Sequence, residues 1–263
     1  MIKIVYMTTQ EFIFDLPLYT PVKLSEGDIL DDLTHYYTHI DGYNPSRGVD
    51  STFELDEKID PTQLKSQGTE TICFRCRRYR DPLYVMVNYD RDDDFIEKVG
   101  QCPSVADIHI AQVKQYKKVL GEAYIKDFTK AIGLAANGIG TGSFVYLRRV
   151  FEHLVDEIAT EAIKSGEIDK TKFETSKMEN KLQLLSNHLP DVIMDNKPLY
   201  GVLSAGIHSL SEEECLKYFS VVRAVIELIL DDREHVRQME EKKKVAKNKL
   251  GEIAGKVNKA TNL

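Results

Sequence analysis

Histidine and arginine are the residue types that move protons and hold phosphate, and two places in this 263-residue chain set them up. Arg148, Arg149 and His153 fall in the run Arg-Arg-Val-Phe-Glu-His. An imidazole titrates near neutral pH and serves as general acid or base, and a guanidinium stabilises charge growing on a phosphorane. On a regular helix Arg148 and His153 diverge by about 140°, whereas Arg149 and His153, four apart, share a face. Arg148 and Glu152 are an i, i+4 ion-pair candidate. His208 precedes Ser211 by three residues, and Ser211 with Glu214 is a capping box. That position lies near free backbone N–H groups and the positive end of a helix, where phosphate binds. His208 reads equally as a helix-entry residue bonded to its own backbone.

Other chemistry-bearing groups have plainer readings. Cys73 and Cys76 form a CxxC, but a structural zinc ribbon needs two such pairs. The turn 42–48 has the shape of a zinc knuckle, with Asn44 and Arg47 standing where thiolates are needed. The module therefore reads as a degenerate zinc ribbon that holds reduced thiols and no metal. Asp31, His35 and His39 would share one helix face able to hold a metal, although a solvated polar face is the commoner outcome. Arg75, Arg77, Arg78 and Arg80 are followed by acids at 90 and 92–94, which points to charge compensation within the chain rather than phosphate contact. The segment 138–142, Gly-Ile-Gly-Thr-Gly, lacks the Lys-Ser/Thr of a P-loop and follows a helical pattern. A tight inter-helix turn is expected there, and no cofactor.

The elements that position these groups change character near residue 104. Before it, runs 1–7, 51–55 and 83–89 have strand composition, turn signals cluster at 41–48, and 28–40 has the pattern of a short helix. After it, Ser104 with Asp107 opens a helical pattern over 105–120, followed by 122–137 with a joint at Gly121. Residues 143–164 carry the clearest stripe, Phe144, Leu147, Phe151, Leu154 and Ile158. Shorter helices are expected over 172–187 and 198–206, then a long one from the Ser211 cap to at least Gln238. Ala246, Leu250, Ile253, Val257 and Ala260 extend its periodicity, too briefly for a coiled coil, as a tail that is solvated or docks on a partner helix.

Charge divides the chain at the same point. Residues 1–100 carry 11 Lys+Arg against 19 Asp+Glu, a balance of −8, and residues 101–263 carry 24 against 23, a balance of +1. With 42% hydrophobic residues the chain can bury a core, and a net charge of −7 argues against a general basic nucleic-acid coat protein. Four cysteines exclude a disulfide scaffold, and neither a signal-peptide pattern nor a membrane-spanning apolar run is present, so a cytoplasmic protein is expected. The expected fold class is α+β: an acidic, mixed, β-rich module over 1–100, an up-and-down helical bundle over 104–240, and an amphipathic basic tail over 241–263.

The Arg-Arg-Val-Phe-Glu-His run at 148–153 and the stretches 138–158 and 199–230 resemble the HEPN superfamily, in particular the HEPN-like proteins of bacterial restriction and phage-defence loci. The resemblance covers roughly residues 104–240. It implies a metal-independent endoribonuclease of toxin–antitoxin or antiviral type, acting on RNA as a homodimer. His208, or His153, would move the protons, and Arg149 and Arg148 would stabilise the phosphorane. The family signature places four to six residues between Arg and His; upstream of His208 the corresponding positions are Leu203, Val202 and Gly201, so the charge would come from Arg148 or Arg149. The alternative is a non-catalytic dimerising scaffold or sensor of the same build, with a protein partner held by the tail.

Overall fold

The computed structural model describes residues 7–23, 29, 32–33, 38–56, 60, 62, 68–90, 92–189, 191–196 and 198–261. The acidic first part forms six antiparallel strands: β1 (Val22–Lys23), β2 (His39–Asn44), β3 (Val49–Leu55), β4 (Thr69–Cys76), β5 (Pro82–Asp90) and β6 (Phe95–Cys102). Their order is β1-β6-β5-β4-β3-β2, a meander from β2 to β6 with β1 added at the far edge. Two-residue alternation sorts the faces: Ile72, Phe74, Leu83, Val85 and Val87 are buried, while Tyr84 and Met86 face water. Helix α1 (Thr9–Phe14), opened by a Thr8/Glu11 capping box, lays Phe12, Ile13 and Phe14 against the buried face. The ring of Phe14 lies so close to Gly42 that a Cβ there would run into it.

His39 begins β2, opposite Glu54 of β3, and so is not on a helix; of the helix expected over 28–40 the described residues Ile29, Asp32 and Leu33 are helical, and the strand ladder takes His39 and Ile40. Asp31, His35 and all but Met7 of the strand expected over 1–7 lie outside the described residues, and Met7 itself is not in a strand.

Lys98 is an exception on the buried face. It is fully buried, and its Nζ donates to the Ile13 carbonyl at 2.9 Å and to Gln101 Oε1 at 2.9 Å, pinning α1 to β6. Burial pushes its pKa down to about 7, opposed by the Asp15 carboxylate.

The rest is helical: α2 (Val105–Val113), a 3₁₀ turn (Lys114–Tyr116), α3 (Lys117–Ala136), α4 (Gly140–Lys164), α5 (Lys170–Glu174), α6 (Met178–Leu184), α7 (Asp191–Asp195), α8 (Pro198–His208) and α9 (Glu212–Thr261). The fold is thus α+β, a sheet module followed by a helical one. Ser104/Asp107 and Ser211/Glu214 form their capping boxes. Gly121, at φ 70°, breaks α3 after its first turn. Helices α3 and α4 are antiparallel, α8 returns along α4, and α9 runs antiparallel to α8, joined by a core that includes Phe128, Phe144, Phe151, Leu203, Ile226 and Ile229. The sheet has its own core, and Ile108 of α2 belongs to it. The module boundary therefore runs through α2, whose Val113 packs into the helical core.

Two helices differ from expectation. The pattern over 172–187 is two short helices, because the hydroxyls of Thr175 and Ser176 bond back to the carbonyls of Thr171 (2.8 Å) and Lys172 (2.7 Å) and end the first. Helix α8 runs two residues beyond 206, so His208 is its last residue.

Lys98 sets a pH dependence. Its folded pKa lies below its unfolded value, so the unfolded chain binds more protons between about pH 7 and about pH 10.5, and stability rises with pH across that window. Urea unfolding at both ends of the window should show this rise, and Lys98→Met should flatten it.

Candidate functional site

The glycine-rich segment 138–142 is the start of α4. Gly140 N–H donates to Glu212 Oε1, and Thr141 N–H donates to Glu212 Oε2 at 3.1 Å. The position where a helix N-terminus would take an anion is therefore filled by the chain's own carboxylate. The Thr141 side chain first, with the two backbone donors, holds Glu212 below the usual carboxylate range, against the opposing effect of burial. Gly140 permits this contact: a Cβ there would stand 2.5 Å from the Glu212 carbonyl oxygen and 2.8 Å from Cys215 Cβ.

Two turns further along α4, Arg148 and Arg149 point to different neighbours. Arg148 Nε donates to Glu152 Oε1 at 2.8 Å, its Nη2 donates to Tyr200 Oη at 2.9 Å, and its guanidinium lies over the Tyr200 ring. It clamps α4 to α8. Arg149 is more exposed and faces α3, 3.6 Å from Asp127 Oδ2. His153 shares that side: its ring stacks on Tyr124 at 3.5 Å between centroids, and its Nε2 lies 3.4 Å from Glu157 Oε1. Glu157 also pairs with Arg233 of α9 at 3.1 Å. Burial holds His153 below the usual imidazole value; Glu157 pulls it up and Arg233 pushes it down. His153 is therefore neutral at pH 7.

The structure brings Arg149 and His153 together, as their spacing requires, and turns Arg148 away. His208 is separate from both. It is exposed, eight residues beyond Tyr200 on α8, about 12 Å along the axis. At the C-terminus of α8 it meets the carbonyl end of the helix dipole, not the N–H end expected from its place before Ser211. Backbone bonds from Ser209 (2.7 Å) and Leu210 (2.9 Å) to the Ala205 carbonyl close α8 there.

Arg75, Arg77 and Arg80 are compensated by Glu54 of β3 and by Asp56 just after it. Arg75 pairs with Asp56 at 2.5 Å, and Arg80 pairs with Glu54 at 2.6 Å and with Asp56 at 3.3 Å. Among the described residues, no three His, Cys, Asp or Glu side chains converge as a metal site.

Sequence reasoning missed a cleft of about 500 Å³ at the seam between the modules, walled by Leu16, Ile132, Leu216 and Phe219. Asp15, His109 and Arg223 supply its polar groups. His109 Nδ1 meets Gln112 Oε1 at 3.1 Å, and its Nε2 is 3.7 Å from Asp15. Burial, then the Arg223 charge, lowers His109 to about 4, so it stays neutral in ordinary buffers. Arg223 is tied to Glu227 at 2.7 Å and to Gln112 at 3.0 Å. Such a cleft suits a small, mainly apolar ligand. Its polar residues come from three separated stretches, and no spacing links them.

Comparison with protein-family models, with curated proteins and with solved structures returns no match. Geometry alone carries the functional reading.

Glu212→Ala should destabilise the fold by about 1 kcal/mol at pH 7, the usual loss for a helix cap. Because the folded carboxyl is held below its unfolded value, that contribution is present above the unfolded pKa and is lost as pH falls through the folded one. Chemical unfolding of both proteins should show the difference at neutral pH and its disappearance in acid.

Proposed function

We propose that this chain is a non-catalytic, self-associating module of HEPN-like build, a cytoplasmic dimerising scaffold or sensor within a defence or regulatory complex. The observation that carries this is the second half of α9. Up to Arg233 the helix is packed: Val222, Ile226 and Ile229 are in the core, and Tyr116 donates to Asp231 at 2.6 Å. Beyond it one edge of that face continues: at sevens from Val222 and Ile229 come Val236, Lys243 and Leu250, flanked by Met239, Ala246 and Ile253, an exposed apolar stripe interrupted at Lys243, while the Ile226 series turns charged as Arg233, Glu240 and Lys247. Residues 238–261 extend about 36 Å as helix. A stripe that is core in one half and solvated in the other calls for a matching apolar surface, and a second copy supplies one of equal length. The engaged state of Arg148, the neutral stacked His153 and the distant His208 also favour a non-catalytic role.

Light scattering on the purified full chain should give a dimer mass, and truncation at Glu240 or the double change Leu250→Glu/Ile253→Glu should give a monomer with unchanged melting temperature. A monomeric full chain would remove the proposal.

A second reading, metal-independent RNA cleavage, has one observation in its favour. Lys130 Nζ (5.2 Å) and the Arg149 guanidinium (5.8 Å) both sit over the Tyr146 ring, two turns from His153, a pairing of charge with aromatic surface that suits single-stranded RNA. Incubation of RNA with the purified dimer in EDTA separates the two readings. The RNA should remain intact; degradation abolished by His153→Ala or His208→Ala would put the second reading in first place.

A further inference from the structure

Two turns of the sheet module share one backbone design. Residues 44–48 join β2 to β3, and residues 76–80 join β4 to β5. In each, the fifth residue is left-handed, Gly48 at φ 71° and Arg80 at φ 62°. In each, its N–H donates at 2.8 Å to the carbonyl of the first residue, Asn44 or Cys76. In the first turn Asn44 Oδ1 accepts from the Ser46 N–H at 3.1 Å, and in the second the buried Cys76 side chain holds the corresponding place. A turn whose N–H groups gather around the first side chain, with the fourth residue curling back beside it, is the way a CxxC pair converges on zinc.

The two turns face each other. The Arg47 guanidinium of one lies 5.2 Å from the centre of the Tyr79 ring of the other, and the Cys76 N–H donates to the Asp81 carbonyl at 2.9 Å. Asp81 accepts from Asn44 Nδ2 at 3.0 Å and from Arg47 Nε at 2.9 Å and Nη2 at 3.0 Å. Asn44 and Cys76 are buried at this junction. Cys73 is outside it: three residues from Cys76 on β4, it faces the other side of the sheet. The CxxC is therefore not the relevant pair; the matched pairs are Asn44/Arg47 and Cys76/Tyr79.

We infer that these paired turns are the frame of a four-ligand metal centre in which a side-chain network stands in for the ion: Asn44, Arg47, Cys76 and Tyr79 hold the four ligand positions, and Asp81 closes the network. The charge logic is inverted accordingly. A zinc centre sets a cation among thiolates; here the Arg47–Asp81 pair is the charged element, and Cys76 remains as the one buried thiol. Arg80 holds a backbone conformation that glycine adopts without strain, as the Gly48 turn does.

The frame is tested by giving it ligands. The full chain carrying Asn44→Cys, Arg47→Cys and Tyr79→Cys should bind one cobalt(II) ion per chain with the visible spectrum of a tetrahedral tetrathiolate site, and zinc should raise its melting temperature. Cys76→Ser added to that variant should remove one thiolate and change the spectrum, and the unsubstituted chain should give no such spectrum. A folded triple variant without the spectrum, a spectrum indifferent to Cys76→Ser, or the same spectrum from the unsubstituted chain would each overturn the inference. Should the triple variant be unfolded without metal, zinc must restore its circular dichroism, and failure to do so overturns it as well.

Discussion

The helical module depends on backbone-distance contact among α4, α8 and α9. Gly140 lets the start of α9 lie against the start of α4, and Gly206 leaves room for the Phe144 ring, which a Cβ would strike. Cys215 fills the remaining gap and donates its thiol to the Gly206 carbonyl at 3.4 Å. Side chains longer than hydrogen at either glycine would push the helices apart and move every contact below them. The register set there brings Tyr200 to Arg148 and Arg233 to Glu157, and so decides which polar groups on α4 stay available.

That constraint explains why the candidate residues were legible in type but not in arrangement. Helical spacing sets Arg149 and His153 on the side of α4 that faces α3 and Arg148 on another, because those relations lie within one helix. It gave no sign that Tyr200 would engage Arg148, or that Tyr124 of α3 would stack on His153. The partner of the 138–142 segment, Glu212, is 72 residues from Gly140. His208 was misplaced by a local cause, two further residues of α8 where a linker was expected.

The fold was legible wherever a side chain acts on its own neighbourhood. The two Ser-based capping boxes, the stripe of α4 and the joint at Gly121 all stand in the structure as their sequence implies. The sheet was harder to read, since its strands are short and its hairpin tips rely on contacts across the module. The CxxC spacing drew attention to Cys73, whereas the backbone of the next turn makes Tyr79 the true counterpart of Cys76. Lys98 offered no warning at all: a lysine in an alternating strand normally marks the wet face, and here two acceptors allow it inside.

The long final helix has a mechanical consequence. Its first half is part of the helical core and its second half stands clear, with one unbroken backbone between them. It works as a lever arm with a fixed grip. Whatever grips the free end fixes the heading of the whole bundle, and a rotation of that end by one residue turns it by about 100°. Two such arms held together would act as a spacer, keeping their bundles at a set separation and angle, so the geometry of an assembly would be written into the length of one helix.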